Sequence, residues 1–343
     1  MIKTALQSAY NFHLYPSVGE DDWRYTYSTS IIRSLETQLL SKGVFQDMAN
    51  AADFKQALDV ISSTEYVGSY QNFDDVQQML MEKRSEVISL TRDLMIDKAL
   101  INLLFVRADF ANMRLALRRK LVDRPLGVDY SNDGSIPAEQ FEMIFEQEDY
   151  SPLPYHMQLA IERSVLAYYQ NKNIRQIDIA LDATLYEYLI ETALKLKNTF
   201  LLEMLRMDID LINIRTMLRL KFTDAEQRNV FLDNGYVDKD TLKHGIDLEY
   251  ESISPLFFAT PYYEVVEAGA SYLSANNSFL MLENKADKHI QGYLKTTQSI
   301  TAGPQPIIAY LRLKESEIRL IRLILTAKNN KLDTRLILDR IGG

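Results

Sequence analysis

The stretches DFANMRLALRRK (Asp109–Lys120) and DLINIRTMLRLK (Asp210–Lys221) write one pattern, D-x-x-N-x-R-x-x-L-R-x-K, twice at a separation of 101 residues. On a helix at about 100° per residue, Val106, Phe110, Met113, Leu117 and Leu121 fall on one narrow stripe. Their counterparts 101 residues on are Met207, Leu211, Ile214, Leu218 and Phe222, all of them apolar. Asp109 and Asn112 lie on one flank of the stripe, and Arg114 and Arg118 lie on the other. Asp109 and Arg114 are about 140° apart, whereas same-helix pairs need spacings of three or four. Each flank therefore asks for a partner on a neighbouring helix, and Asp210, Asn213, Arg215 and Arg219 repeat the demand.

The register continues past the helix. Gly134, Ile136, Pro137 and Phe141 map at the same offset onto Gly235, Val237, Asp238 and Leu242. Pro137 and Asp238 both favour helix starts, so the unit reads as helix, glycine-bearing turn, helix. A weaker third copy lies in YLRLKESEIRLIRLILTAK (Tyr310–Lys328), at an offset of 205. There Ile318 stands for Met113 and Arg319 for Arg114, but Lys314 replaces the Asp and Glu317 the Asn. Its stripe is Leu311, Ile318, Ile321 and Leu325. A second offset of 196 carries Thr64 and Tyr66 onto Thr260 and Tyr262, and Ile136 onto Leu332.

These registers predict an all-α chain built from three similar helical segments, 1–140 (with an N-terminal segment), 141–243 and 244–343. Candidate joints are Val122–Pro137, Gln147–Pro154 and Lys243–Pro255. The composition agrees: 12 Gly and 9 Pro in 343 residues are few for a fold of strands and phosphate loops. The chain has no cysteine, which excludes disulfides, thiolate metal sites and a cysteine nucleophile. Its start, MIKTALQSAYNFHLY, lacks the pattern of a signal peptide, and no apolar run is long enough to span a bilayer. The net charge of −9 repels nucleic acid and anionic lipid, so no nucleic-acid partner and no direct membrane insertion are expected.

Chemistry is hard to place. His13, His156, His244 and His289 share no ligand spacing and read as structural or surface residues. No glycine-rich phosphate loop and no G-x-S-x-G is present. The paired carboxylates Asp74 and Asp75, Asp208 and Asp210, and Glu315 and Glu317 lack the two facing acidic helices that would hold Mg²⁺ on a diphosphate, and read as solvated helix surface. The acidic run EQFEMIFEQED (Glu139–Asp149) reads as a solvated face backed by Phe141, Ile144 and Phe145, or else as a docking surface for a basic partner. No catalytic, cofactor-binding or metal-ligating residue is assigned.

Three stretches together resemble one family. They are YSTSIIRSLETQLLSKGVFQDMANAADFKQALDVISSTEY (Tyr27–Tyr66), the two D-x-x-N-x-R helices, and GPQPIIAYLRLKESEIRLIRLILTAKNNKL (Gly303–Leu332), in which A-Y-x-x-x-K-E-x-E-I-R is the most specific signature. The family is the C-type subunit of the archaeal and bacterial A/V-type ATPases, whose eukaryotic counterpart is the d-type subunit of the vacuolar ATPase. The resemblance covers most of Tyr27 to Ile341 and fits residues 1 to about 22 poorly. It implies three similar helical domains in a funnel about a pseudo-threefold axis, with no active site and no cofactor. It also implies a place on the cytoplasmic face of the membrane, as a socket between central-stalk subunits of the D and F type and a membrane rotor ring of c or K type subunits, coupling them for ion transport. The rival readings are a free-standing helical-repeat scaffold, indifferent to such subunits, and an all-helical metal-dependent enzyme, which would bind Mg²⁺.

Overall fold

A computed structural model describes residues 15–68, 72–122, 130–225 and 228–342, which include no strand. After a 3₁₀ turn at Trp23–Tyr25 come α1 (Thr26–Glu36), α2 (Lys42–Asn50), α3 (Phe54–Ile61), α4 (Phe73–Leu94), α5 (Lys98–Val122), α6 (Ala138–Gln147), α7 (Tyr155–Asn171) and α8 (Arg175–Lys195). They are followed by α9 (Thr199–Phe222), α10 (Lys239–Asp247), α11 (Tyr250–Ile253), α12 (Tyr263–Asn276), α13 (Leu280–Lys295), α14 (Pro304–Asn329) and α15 (Thr334–Ile341). The chain is all-α, as its periodicity predicts.

These elements gather into two compact units. The first runs from Asp97 to Lys239. In it α8 forms a hairpin with α7 and packs against both α5 and α9, while α6 folds back onto α5. The stripe of α5 is buried at Val106, Phe110, Met113 and Leu117, and that of α9 at Met207, Ile214 and Leu218. Phe222, the last position of the second stripe, is 42% exposed. α9 buries 14 of its 24 residues, including Arg206, Asp208, Asp210 and Asn213, so burial runs well beyond the apolar stripe. A helix enclosed on that scale needs partners for its polar side chains.

The second unit is discontinuous. It joins described residues 15–96 to 240–342. Its axis is α14, against which α1, α2, α3 and α4 pack, with α13 and α15 also in contact. Ile318, Ile321 and Leu325 of α14 are buried with Phe45, Met48 and Tyr66. Residues 18–22, in the N-terminal stretch that the family pattern fits poorly, are tied to the start of α14 and the residues just before it. Asp21 accepts from the Thr301 amide at 2.8 Å, Asp22 N–H donates to the Ala302 carbonyl at 2.7 Å, and Gln305 donates to the Val18 and Glu20 carbonyls. Residues 1–14, and 123–129 of the candidate joint after α5, lie outside the described residues.

Three of the longer helices stop in the same way. Past α8, α9 and α14 the chain turns through left-handed residues Lys197, Asp224 and Lys331, with φ of 52°, 48° and 55°. In each case the next amide, of Asn198, Ala225 or Leu332, reaches back to the carbonyl of Ala193, Leu220 or Ala327. That is the six-to-one closure that glycine favours, because a Cβ is strained at positive φ. Lys331 is exposed. Lys331→Gly is therefore expected to stabilise the protein by about 0.5–1 kcal/mol, read as a rise of one or two degrees in Tm by calorimetry. A lowered Tm would show that the lysine side chain does more than occupy the turn.

Candidate functional site

The repeated polar residues form two matching grips on backbone. Asp109 is fully buried on α5. Its carboxylate accepts from the Ser135 amide at 3.0 Å, the Ser135 hydroxyl at 2.6 Å and the Ile136 amide at 3.1 Å. On α9 Asp210 accepts from the Tyr236 and Val237 amides, both at 3.0 Å. One turn along, Asn112 donates to the Ser131 carbonyl at 2.8 Å and accepts from the Ser131 amide at 2.9 Å. Asn213 does the same to Leu232, at 3.0 and 2.8 Å. The two loops are thus held at sequence separations of 19, 26 and 27 residues in both copies. Gly134 and Gly235 are part of the device, since a Cβ at either would overlap Oδ1 of Asp109 or of Asp210.

The expectation that both flanks meet neighbouring helices is half corrected. Asp and Asn meet loop backbone, because buried amides in a turn lack the partners that a helix supplies internally and a carboxylate satisfies two at once. The arginine flank does meet a helix at Arg114 and Arg118. Arg114 pairs with Asp178 and Asp182 of α8, and Arg118 pairs with Asp178. Arg215 and Arg319 are exposed and make no ion pair among the described residues, and Arg219 is exposed too. Arg107 and Asp208 occupy the same repeat position with opposite charges, and they pair at 3.1 Å. Arg107 also donates to the Tyr186 hydroxyl at 2.9 Å.

The third copy keeps the positions and changes the chemistry. Lys314, only 1% exposed, pairs with Glu65 and with Glu317. Glu317 accepts from the Leu40 amide at 2.6 Å and from the Tyr66 hydroxyl at 2.6 Å. Burial and the adjacent Glu317 carboxylate push the Tyr66 hydroxyl far above the usual phenol range, so it stays a donor. The reading of the paired carboxylates as solvated surface is thereby overturned for Asp208, Asp210 and Glu317. All three are buried, each with its charge met by an amide, a hydroxyl or a cation. Asp74 is exposed, while Asp75 closes a capping box with Asn72 at the start of α4.

Two of the four histidines are packed among aromatic rings. His156 is stacked on Tyr188 at 3.7 Å and lies 6.2 Å from the Phe110 ring, and burial lowers its pKa against the pull of Asp109. His289 sits between the rings of Tyr15 and Tyr262, with its Nε2 buried and unpartnered. His244 is exposed, and His13 lies outside the described residues. On α6 and just past its end the acids Glu139, Glu142, Glu146, Glu148 and Asp149 all face solvent, while Phe141, Ile144 and Phe145 of α6 are buried. Among the described residues no group of acids and histidines is placed to hold a metal ion.

A family model described as ATP synthase (C/AC39) subunit matches residues 28–340. The C-type subunit of the V-type sodium ATPase of Enterococcus hirae is 25% identical over 317 residues, covering 91% of this chain and 96% of that protein. The C-type subunit of the V-type ATP synthase of Thermus thermophilus is 23% identical over 313 residues, 88% of this chain and 93% of the relative. The corresponding subunit of the A-type ATP synthase of Methanococcoides burtonii is 22% identical, with 92% and 94% covered.

The grips and the buried histidine each generate a test. Gly235→Ala places a methyl against the Asp210 carboxylate and Ile209, and is expected to cost about 2–4 kcal/mol in chemical denaturation. Gly43→Ala, in α2 with only the Ser41 hydroxyl at 3.6 Å, is the helix control and should be neutral or stabilising. Equal effects would remove the carboxylate from the account. Burial pushes His289 down to about 4. The unfolded chain, with an ordinary histidine near 6.5, then takes up a proton first as pH falls. Stability is full above pH 6.5 and lost below it, by about 2 kcal/mol between pH 7 and pH 5. His289→Leu should flatten that part of the pH–stability curve, and parallel curves would assign the loss elsewhere.

Proposed function

Because the chain belongs to the ATP synthase (C/AC39) subunit family, we propose that it is the non-catalytic coupling subunit of an A/V-type rotary ATPase, a socket that joins the central stalk to the membrane rotor ring. The observation that carries this reading is the family match over residues 28–340, borne by an all-helical chain. Its partners are the shaft subunits of the D and F type and the ring subunits of the c or K type. It lies on the cytoplasmic face, attached through protein. No helix of the described residues is long and apolar enough to cross a membrane.

Stiffness is the property that such a socket needs. The buried grips of α5, α9 and α14 supply it by fixing loops that would otherwise move independently of the helices. The body is organised as three similar helical segments, each built around one of these long helices. The acidic excess, −9 in all, favours a basic shaft foot and acts more on association rate and register than on affinity.

Native mass spectrometry tests the reading. The full chain is mixed with the detergent-solubilised rotor ring and, separately, with the central-stalk subunits from the same source. One copy bound to each is the expected result. Failure to bind either one at low salt, where charge steering is strongest, would leave the family fold without the coupling role.

A further inference from the structure

The sequence contains a single Asn-Gly pair, Asn234–Gly235, and it lies between the two holds of the second grip. Asn213 holds Leu232, just before the pair, and Asp210 holds the amides of Tyr236 and Val237, just after it. This position sets both residues of the pair. Gly235 leaves room for the Asp210 carboxylate, which a Cβ would overlap. Asn234 stands at φ 72°, in the left-handed region that asparagine tolerates better than most residues with a Cβ.

Asparagine before glycine is the pair in which backbone most readily attacks side chain, because the attacking nitrogen has no Cβ beside it to block the approach. Here the two reacting groups are also unengaged. Asn234 and Gly235 are half-buried, and among the described residues neither the Asn234 side chain nor the Gly235 amide makes a hydrogen bond. Two other places in the chain share part of this chemistry. Asp133–Gly134, the counterpart in the first grip, has a buried glycine and an acid in place of the amide, and an ionised carboxylate is a poor electrophile. Asn277, past the end of α12, is left-handed too, with φ of 52°, but is followed by Ser278.

We infer that Asn234 is a site of spontaneous deamidation through Gly235, and that its isoaspartate product releases the second grip. The Gly235 nitrogen gives its proton to a base from solvent and bonds to Cγ of Asn234. The Cγ–Nδ2 bond breaks, the leaving nitrogen takes a proton and departs as ammonia, and a five-membered imide is left. Water then opens the imide at one of two bonds. Cleavage between Cγ and the Gly235 nitrogen restores an ordinary backbone with aspartate at 234. Cleavage at the main-chain carbonyl leaves isoaspartate, whose main chain runs through Cβ and Cγ and is one carbon longer. Nothing is oxidised or reduced, since asparagine and water become an acid and ammonia. The products differ in effect. Aspartate at 234 reproduces the charge that Asp133 already carries in the first grip. Isoaspartate lengthens the chain between Leu232 and Tyr236, whose separation is set by Asn213 and Asp210 one turn apart on α9, so the two holds cannot both be kept. The weakness comes from the grip itself: the carboxylate that demands glycine at 235 also creates the reactive pair.

Incubation of the full chain in mildly alkaline buffer, followed by peptide mapping that separates aspartate from isoaspartate by mass spectrometry, tests the site. Asn234 is expected to convert roughly tenfold or more faster than Asn277, whose backbone is also left-handed but whose neighbour has a Cβ. Isoaspartate should be the major product. Conversion no faster than at Asn277 would overturn the assignment. The isoaspartate form, separated by ion exchange, is then compared with the fresh chain by amide hydrogen exchange. Exchange at Leu232, Tyr236 and Val237 should rise by roughly tenfold or more, the opening of a local hold, while Ser131, Ser135 and Ile136 of the first grip stay unchanged. Asn234→Asp, which has no ammonia to lose, should keep the original rates at all six. Unaltered exchange in the isoaspartate form, or equal acceleration in Asn234→Asp, would overturn the release of the grip by the longer backbone.

Discussion

The fold depends on buried carboxylates and amides that solve each other's desolvation. An amide taken out of water without a partner costs free energy comparable to a lost hydrogen bond, and an isolated carboxylate costs more. Asp109 and Asp210 bring the two together on the long helices, with Asn112 and Asn213 bracketing the same loops one turn along. Glycine at 134 and 235 provides the room. The position of a loop is thereby set by the helix that precedes it, and the loop in turn aims the helix that follows. Apolar packing alone would tolerate small shifts of a loop along a helix, whereas paired hydrogen bonds at fixed separations do not.

The third long helix shows that the role outlives the chemistry. A lysine and a glutamate at the Asp and Asn positions form an ion pair that is itself costly to bury. Its cost is offset by the Glu65 carboxylate on the lysine and by two donors on Glu317, one of them the fully buried Tyr66. Removing Lys314 leaves Glu65 and Glu317 without their shared cation, so the cluster depends on the lysine above all. Such coupling suits a contact that joins the two ends of the chain, where no short connection holds the partners near each other.

Much of this was legible in the sequence. The periodic stripe foretold α5 and α9, and the constant offset foretold that Asp109 and Asp210, or Asn112 and Asn213, would do the same thing. What they hold was not legible: the partners are backbone groups of a loop, and no side-chain pattern marks a buried amide. Gly134 and Gly235 were visible in register, but the reason for them is a carboxylate 25 residues upstream. The arginine flank misled because position 114 faces Asp178 and Asp182 on α8, whereas positions 215 and 319 face solvent. The third copy read as weak for two physical reasons: its grip uses different side chains, and its target lies upstream, so helix and target follow offsets of 205 and 196.

The placement of the grips bears on how load would pass through the long helices. Asp109 is the twelfth of 25 residues in α5, Asp210 the twelfth of 24 in α9, and Lys314 the eleventh of 26 in α14. At 1.5 Å per residue these helices are about 36–39 Å long. A rod held at one end pivots, but a rod held at mid-length by directional bonds, and along its sides by neighbours, resists both tilt and rotation about its axis. Mid-length also leaves both ends free to carry loops, and the six-to-one closures past α9 and α14 keep those ends from fraying. Stiffness here is therefore a matter of where the polar contacts sit along each helix, more than of how much apolar surface the helices bury.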